Sequence, residues 1–294
     1  MLRDTGFDLM YVELLSLFTA LCYGASAVLA RMGMRDSNPM TGAMVGTLVQ
    51  VVLLSGLIMA VPPTSIDWTA IALFIASGIL ASTLGRLFNY MSIERLGVPV
   101  SATIIGSSPI FSTLLAVLFI GERVAPTVLL GTVLVVAGIA ITRSGDSTGS
   151  RMKSTAILIP IAAAAFYGAS SVVRKAGLNI LPEATLGALV GAGASLLSFG
   201  AYLILTQRMD AIRLNRSSSK YFILSGVVVS AGWLSMFTAL VSGEVSVVSA
   251  LIGTNPLFSI ILSLILLRGS EELNWRTGVG CLAIVAGAAV ITLF

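Results

Sequence analysis

The most constraining feature of this chain is a pattern that occurs twice. Gly85 to Glu122 reads GRLFNYMSIERLGVPVSATIIGSSPIFSTLLAVLFIGE: two apolar runs, each long enough to cross a bilayer, joined by Ile93-Glu94-Arg95-Leu96. Gly106-Ser107-Ser108-Pro109 interrupts the second run, and Gly253-Thr254-Asn255-Pro256 interrupts its counterpart within Gly232 to Glu271. A duplicated pair of spans, broken midway by proline and polar residues, is the construction expected of a membrane carrier.

Runs of about 20 apolar residues span a bilayer as helices, and ten can be read, at about 11–32, 40–61, 69–91, 98–120, 126–142, 154–176, 184–206, 221–242, 245–267 and 275–293. With 56% hydrophobic residues, 10% charged residues and a mean hydropathy of +1.01, a soluble domain of this length is excluded. No period-2 alternation supports a barrel, so backbone groups in lipid must be satisfied inside helices. The expected fold class is an all-α membrane protein of ten transmembrane helices in two inverted five-helix repeats.

The repeat is read from matched residues. Tyr23-Gly24-Ala25-Ser26 returns as Tyr167-Gly168-Ala169-Ser170, which also argues against a signal-peptide reading of the first segment. Gly42 and Gly46 match Gly187 and Gly191, a small-xxx-small face that permits close helix contact. Gly131 and Gly138 match Gly280 and Gly287. The offset grows from 144 to 149 along the chain, as one duplicated five-helix unit with small loop insertions would give. Five is odd, so the second copy enters the membrane upside down. Residues 1–143 form the first expected unit, 144–153 a linker and 154–294 the second.

Taken together, the duplicated order, the aromatic-Gly starts, Pro109 and Pro256, and Gly121-Glu122-Arg123 resemble the drug/metabolite transporter superfamily, EamA type. The resemblance implies a central cavity among helices 1, 3, 4, 6, 8 and 9, with 2, 5, 7 and 10 outside, and it implies export. The second half departs from the Gly-Glu pattern with Arg268-Gly269-Ser270-Glu271.

Candidate binding residues follow from polarity at depth. Arg86 lies among Leu84, Leu87 and Phe88, where a cation either faces a cavity or snorkels to the interface; Asn89 follows it by three residues. Ser107, Ser108, Thr254 and Asn255 adjoin Pro109 and Pro256, which as mid-helix prolines would kink their spans and free the carbonyls of Ile105 and Ile252. Tyr23, Ser26, Tyr90, Tyr167, Ser170, Trp233, Met236 and Phe237 complete the candidate lining, with plain packing the competing reading for the aromatics. Arg31, Arg174 and Lys175 close helices 1 and 6 and read as headgroup anchors.

The chemistry available is narrow. There is no histidine, and no metal motif occurs, so no metal or other cofactor is expected. Cys22 and Cys281 sit in apolar segments at opposite ends of the chain and read as free thiols. All thirteen carboxylates fall in termini, loops or helix ends, so neither a mid-depth proton-coupling acid nor a catalytic set is visible. Basic residues stand singly at helix ends, which argues for membrane topology and against nucleic acid.

The partners expected are the lipid bilayer and a small-molecule substrate, with no oligomeric state assigned. The reading is a multi-pass transporter of the plasma (inner) membrane exporting small metabolites such as amino acids. The alternatives are other solutes (sugars, nucleotide-linked or drug-like) or a non-transporting scaffold. Lys and Arg near helix ends place both termini outside by the positive-inside rule, whereas the resemblance places them in the cytosol.

Overall fold

The computed structural model describes residues 5–96, 98–143, 154–207, 212–266 and 275–293, and among them there is no strand. Span 1 is Thr5–Gly33 and span 2 is Pro39–Ala60. Span 3 runs as Trp68–Ile79, a π turn at Leu80–Gly85 and Arg86–Leu96. Span 4 is Val98–Ile105 and Ser108–Ile120, and span 5 is Pro126–Arg143. Span 6 opens with the 3-10 turn Ser154–Ile157 and continues as Leu158–Ile180. Spans 7 and 8 are Ala184–Leu205 and Arg216–Ser242. Span 9 is Val245–Ile252 and Asn255–Leu266, and span 10 is Trp275–Leu293. Eight of the described helices are long and apolar enough to cross a membrane, and Pro126–Thr142 is a shorter apolar helix.

Local chemistry fixes the ends. Asn38 and Asp67 accept from the backbone N–H groups of Thr41 and Ala70 at 3.0 and 2.9 Å, satisfying first-turn donors of spans 2 and 3. Gly121 ends span 4 at φ +73°, a left-handed conformation that favours glycine.

Spans 4 and 9 break where a kink was expected. Pro109 and Pro256 are each the second residue of a new helix, where a missing N–H costs nothing, rather than interior prolines. The carbonyl of Ile252 is taken up by Asn255 Nδ2 at 3.0 Å, and that of Ile104 by the N–H and Oγ of Ser107.

Packing follows the repeat. Span 1 lies along span 8 as span 6 lies along span 3, and the second half of span 9 meets span 1 as the second half of span 4 meets span 6. Individual contacts recur in register. A Cβ on Gly24 would strike Phe258 and Ser259, and one on Gly168 would strike Phe111 and Ser112. The ring of Phe222 fills the space beside Gly33, as Phe74 does beside Gly177.

Spans 5 and 10 pack on each other, Gly131 against Gly287 and Gly138 against Gly280, so rising along one helix means descending the other. A pair of repeat-related helices that are antiparallel requires a pseudo-twofold axis in the membrane plane, the inverted arrangement. Lipid gives helices no hydrophobic reason to associate, so backbone contact at glycine carries this interface.

The Asn38 face collects the ends Gly33, Pro39, Leu96, Val98, Leu205, Arg216, Leu266 and Trp275. The Glu122 face collects Ala60, Trp68, Ile120, Pro126, Ile180, Ala184, Ser242 and Val245.

Candidate functional site

A cavity of about 550 Å³ lies between the halves, lined by residues of spans 1, 2, 3, 4, 6, 7, 8 and 9. Its size suits a small metabolite. A second, of about 290 Å³, lies among spans 3, 4, 5 and 9 and shares Ser108, Gly253 and Asn255 with the first.

Many expected residues meet in the larger cavity: Tyr23, Ser26, Arg86, Ser108, Pro109, Tyr167, Ser170, Trp233, Met236 and Asn255. Tyr23 Oη donates to Met236 Sδ at 3.6 Å, and Ser26 and Ser225 share a hydrogen bond of 2.9 Å. The Arg86 guanidinium sits half-buried, 5.4 Å from the ring centroid of Phe199. The π turn just before it lets Gly85 meet the ring of Tyr167.

Asn89 and Pro256 line the smaller cavity instead, so Asn89 does not share the space of Arg86. Ser107, Thr254 and Phe237 line neither. Ser107 and Thr254 donate back to the carbonyls of Ile104 and Leu251, closing their own turns, and Phe237 is buried behind the wall of the cavity. The side chain of Tyr90 lies outside the described residues.

The main correction is Arg174. It is not a headgroup anchor: it is 3% exposed and lines the larger cavity. Its guanidinium lies 4.8 Å from the ring centroid of Trp233 and 5.0 Å from that of Phe237, inside cation–π range. It donates to Ser170 Oγ at 3.0 Å and Met236 Sδ at 3.5 Å, while its Nε has no partner. One signal was present in the sequence, since Tyr167, Ser170 and Arg174 occupy positions i, i+3 and i+7 of one helix face.

The resemblance implies that spans 2 and 7 lie outside the cavity, but both contribute to its lining. Gly42, Ala43, Gly46, Thr47 and Gln50 line the cavity, and span 7 adds Ser195. A Cβ on Gly42 would meet Phe222, but one on Gly46 would find only Gly226 Cα at 3.9 Å, so Gly46 is not a tight packing glycine. Gln50 stands alone among apolar residues at mid-span, another readable sign.

At the Glu122 face the cavity ends in a polar clamp. Glu122 accepts from the backbone N–H groups of Val245 and Ser246 at 3.0 and 2.9 Å and from Ser246 Oγ. A carboxylate on the first N–H groups of a helix is favoured by both hydrogen bonding and the helix dipole. Lys175 caps the end of span 8 through Leu240 and Val241 carbonyls at 2.8 and 3.4 Å.

The family model for the EamA-like transporter family matches residues 10–144 and again 154–293. The chain belongs to that family. It is 24% identical to the uncharacterized transporter YvbV of Bacillus subtilis (strain 168) over 285 residues, 95% of this chain and 90% of that protein. An uncharacterized transporter of Archaeoglobus fulgidus is 24% identical over 284 residues, 95% of this chain and 97% of its own. A stretch of 62 residues is 40% identical to phosphoenolpyruvate/phosphate translocator 1, chloroplastic, of Oryza sativa subsp. japonica, covering 21% of this chain and 15% of that one. A solved crystal structure matches with TM-score 0.79 over 96% of both chains at 18% identity, a likeness of fold. This EamA-family protein is thus a multi-pass membrane protein of a transporter family.

Proposed function

We propose that this protein is a secondary transporter of small carboxylate-bearing metabolites, with amino acids the first class to test, working by alternating access in the plasma (inner) membrane. The halves 1–143 and 154–294 move against each other, and export is the direction adopted from the family resemblance. The observation that carries the proposal is the 550 Å³ cavity between inverted halves, clamped at the Glu122 face and lined by Arg86 and Arg174 with no acidic side chain among the described residues. Alternating access needs such a central site closed at one end. The tyrosines, serines and Asn255 supply hydrogen bonds, and Trp233 and Met236 an adaptable apolar wall.

The short match to the rice translocator supports a second solute class, phosphorylated acids. Proteoliposomes holding the full chain, given labelled amino acids, organic acids, phosphorylated acids, sugars and nucleotides in both directions, test the proposal. Saturable flux of an acid or amino acid is expected; no flux of any solute, with folded protein present, contradicts it.

A further inference from the structure

We infer that the ligand of this cavity is net anionic: a small organic acid whose carboxylate docks on Arg174 at the deep end, with Arg86 as the second cation. This rests on the cavity being the transport site.

Arg174 lines this cavity while almost fully buried, and no acidic side chain lines it among the described residues. A buried guanidinium without a carboxylate is costly, so the partner it favours is an anion that enters the cavity. A carboxylate fits best, because the guanidinium edge presents parallel N–H groups to two coplanar oxygens.

The hydroxyls nearby do not change that sign. Ser170 Oγ donates to the carbonyl of Ser77 at 2.8 Å, and Ser195 Oγ to that of Gly191 at 2.7 Å.

A ligand ammonium would find no such welcome. No acidic side chain lines the cavity among the described residues, and the faces of Trp233 and Phe237 already hold Arg174. Arg86 adds a second positive charge. Tyr167 packs on Gly85, next to Arg86, and stands seven residues before Arg174, so the two cations lie roughly 10 Å apart in depth at 1.5 Å per residue. Two cations along one low-dielectric cleft draw an anion inward and repel a cation.

Trp233 reports on the site. The other tryptophans, Trp68 and Trp275, are exposed, so Trp68→Phe with Trp275→Phe leaves Trp233, beside Arg174, as the single tryptophan, excited selectively over the tyrosines. The full chain in detergent is titrated with glutarate, glutamate, 5-aminopentanoate and 1,5-pentanediol, which share a five-carbon chain and differ in charge. Glutarate should shift the emission with a Kd at least ten-fold below those of 5-aminopentanoate and the diol, with glutamate between. Arg174→Gln should weaken glutarate ten-fold or more, Arg174→Lys should retain part of the affinity, and Arg86→Gln should cost three- to ten-fold.

Should Arg174→Gln not fold, the ligand series on the parent and Arg86→Gln decide. No response to glutarate, 5-aminopentanoate binding as tightly as glutarate, or a folded Arg174→Gln binding glutarate like the parent overturns the inference. Flux of zwitterions with no preference for acids would overturn it and leave the transport reading standing. Glutarate binding without flux of any solute would do the reverse.

Discussion

The two ends of the bundle are made from repeat-related parts, and their described residues pack differently. At the Glu122 face, Val245–Ile252 packs on Ser108–Ile120 and its first N–H groups close on the Glu122 carboxylate. At the Asn38 face, the counterpart Val98–Ile105 makes no comparable packing on Asn255–Leu266 among the described residues. The 290 Å³ cavity lies there, with Ala102 and Ile105 on one side and Asn255 and Pro256 on the other.

The offset of 147 puts Pro99 where Ser246 stands, and proline brings neither the N–H nor the hydroxyl that Glu122 uses. The symmetric scaffold supplies two related ends, and among the described residues the carboxylate clamp stands at the Glu122 face.

Gly131→Leu should break the scaffold both ends share: its Cβ would lie 2.4 Å from Ile291 and 2.6 Å from the Gly287 carbonyl, and backbone cannot yield cheaply. Overpacking of this kind costs roughly 3 kcal/mol; folded yield and melting temperature in detergent should both fall, and a normal melt would remove spans 5 and 10 from the account. Glu122→Ala removes the acceptor of three hydrogen bonds, a loss of about 2 to 3 kcal/mol confined to one face. Hydrogen exchange at Val245 and Ser246 should quicken by about thirty-fold or more while spans 5 and 10 stay protected.

Ser246→Pro transplants the Asn38-face residue into the clamp. It removes two of the three donors but leaves the Val245 N–H, so the loss is nearer about 1 to 2 kcal/mol and exchange at Val245 rises less than in Glu122→Ala. Equal exchange in the parent and Ser246→Pro would mean the clamp holds nothing. Gly46→Leu should change the melting temperature little, since its Cβ meets only ordinary contact, yet lower ligand affinity a few-fold by narrowing the cavity. A collapse in folded yield would restore Gly46 to the packing role its spacing implies.

The architecture was legible because apolar run length and duplicated residues are one-dimensional signals. The 144-residue echo from Tyr23 to Tyr167 and the glycines seven apart on spans 5 and 10 carry directly into packing contacts. The site was legible only in part. Tyr23, Ser26, Tyr167, Ser170, Trp233 and Asn255 were readable as polar or aromatic groups at depth. Arg174 was not, because the apolar pattern puts the end of span 6 near residue 176, whereas the helix runs to Ile180 and leaves Arg174 six residues inside it. A cation two residues from an end is an anchor; the same cation six residues inside, beside Trp233, is not. The lining role of span 2 depends on how helices lean against each other, which periodicity does not encode.

Closure of the cavity at the Glu122 face by the clamp, with entry from the other face, can be tested by labelling. Ser249 lines the cavity in the half of span 9 that Glu122 holds. Ser249→Cys, in a background with Cys22→Ser and Cys281→Ser, is reconstituted in sealed vesicles and treated with a membrane-impermeant maleimide on either side. The account predicts labelling from the Asn38 face and protection from the Glu122 face, with protection lost when Glu122→Ala is added. Faster labelling from the Glu122 face in the parent, or an accessibility that Glu122→Ala leaves unchanged, would contradict it.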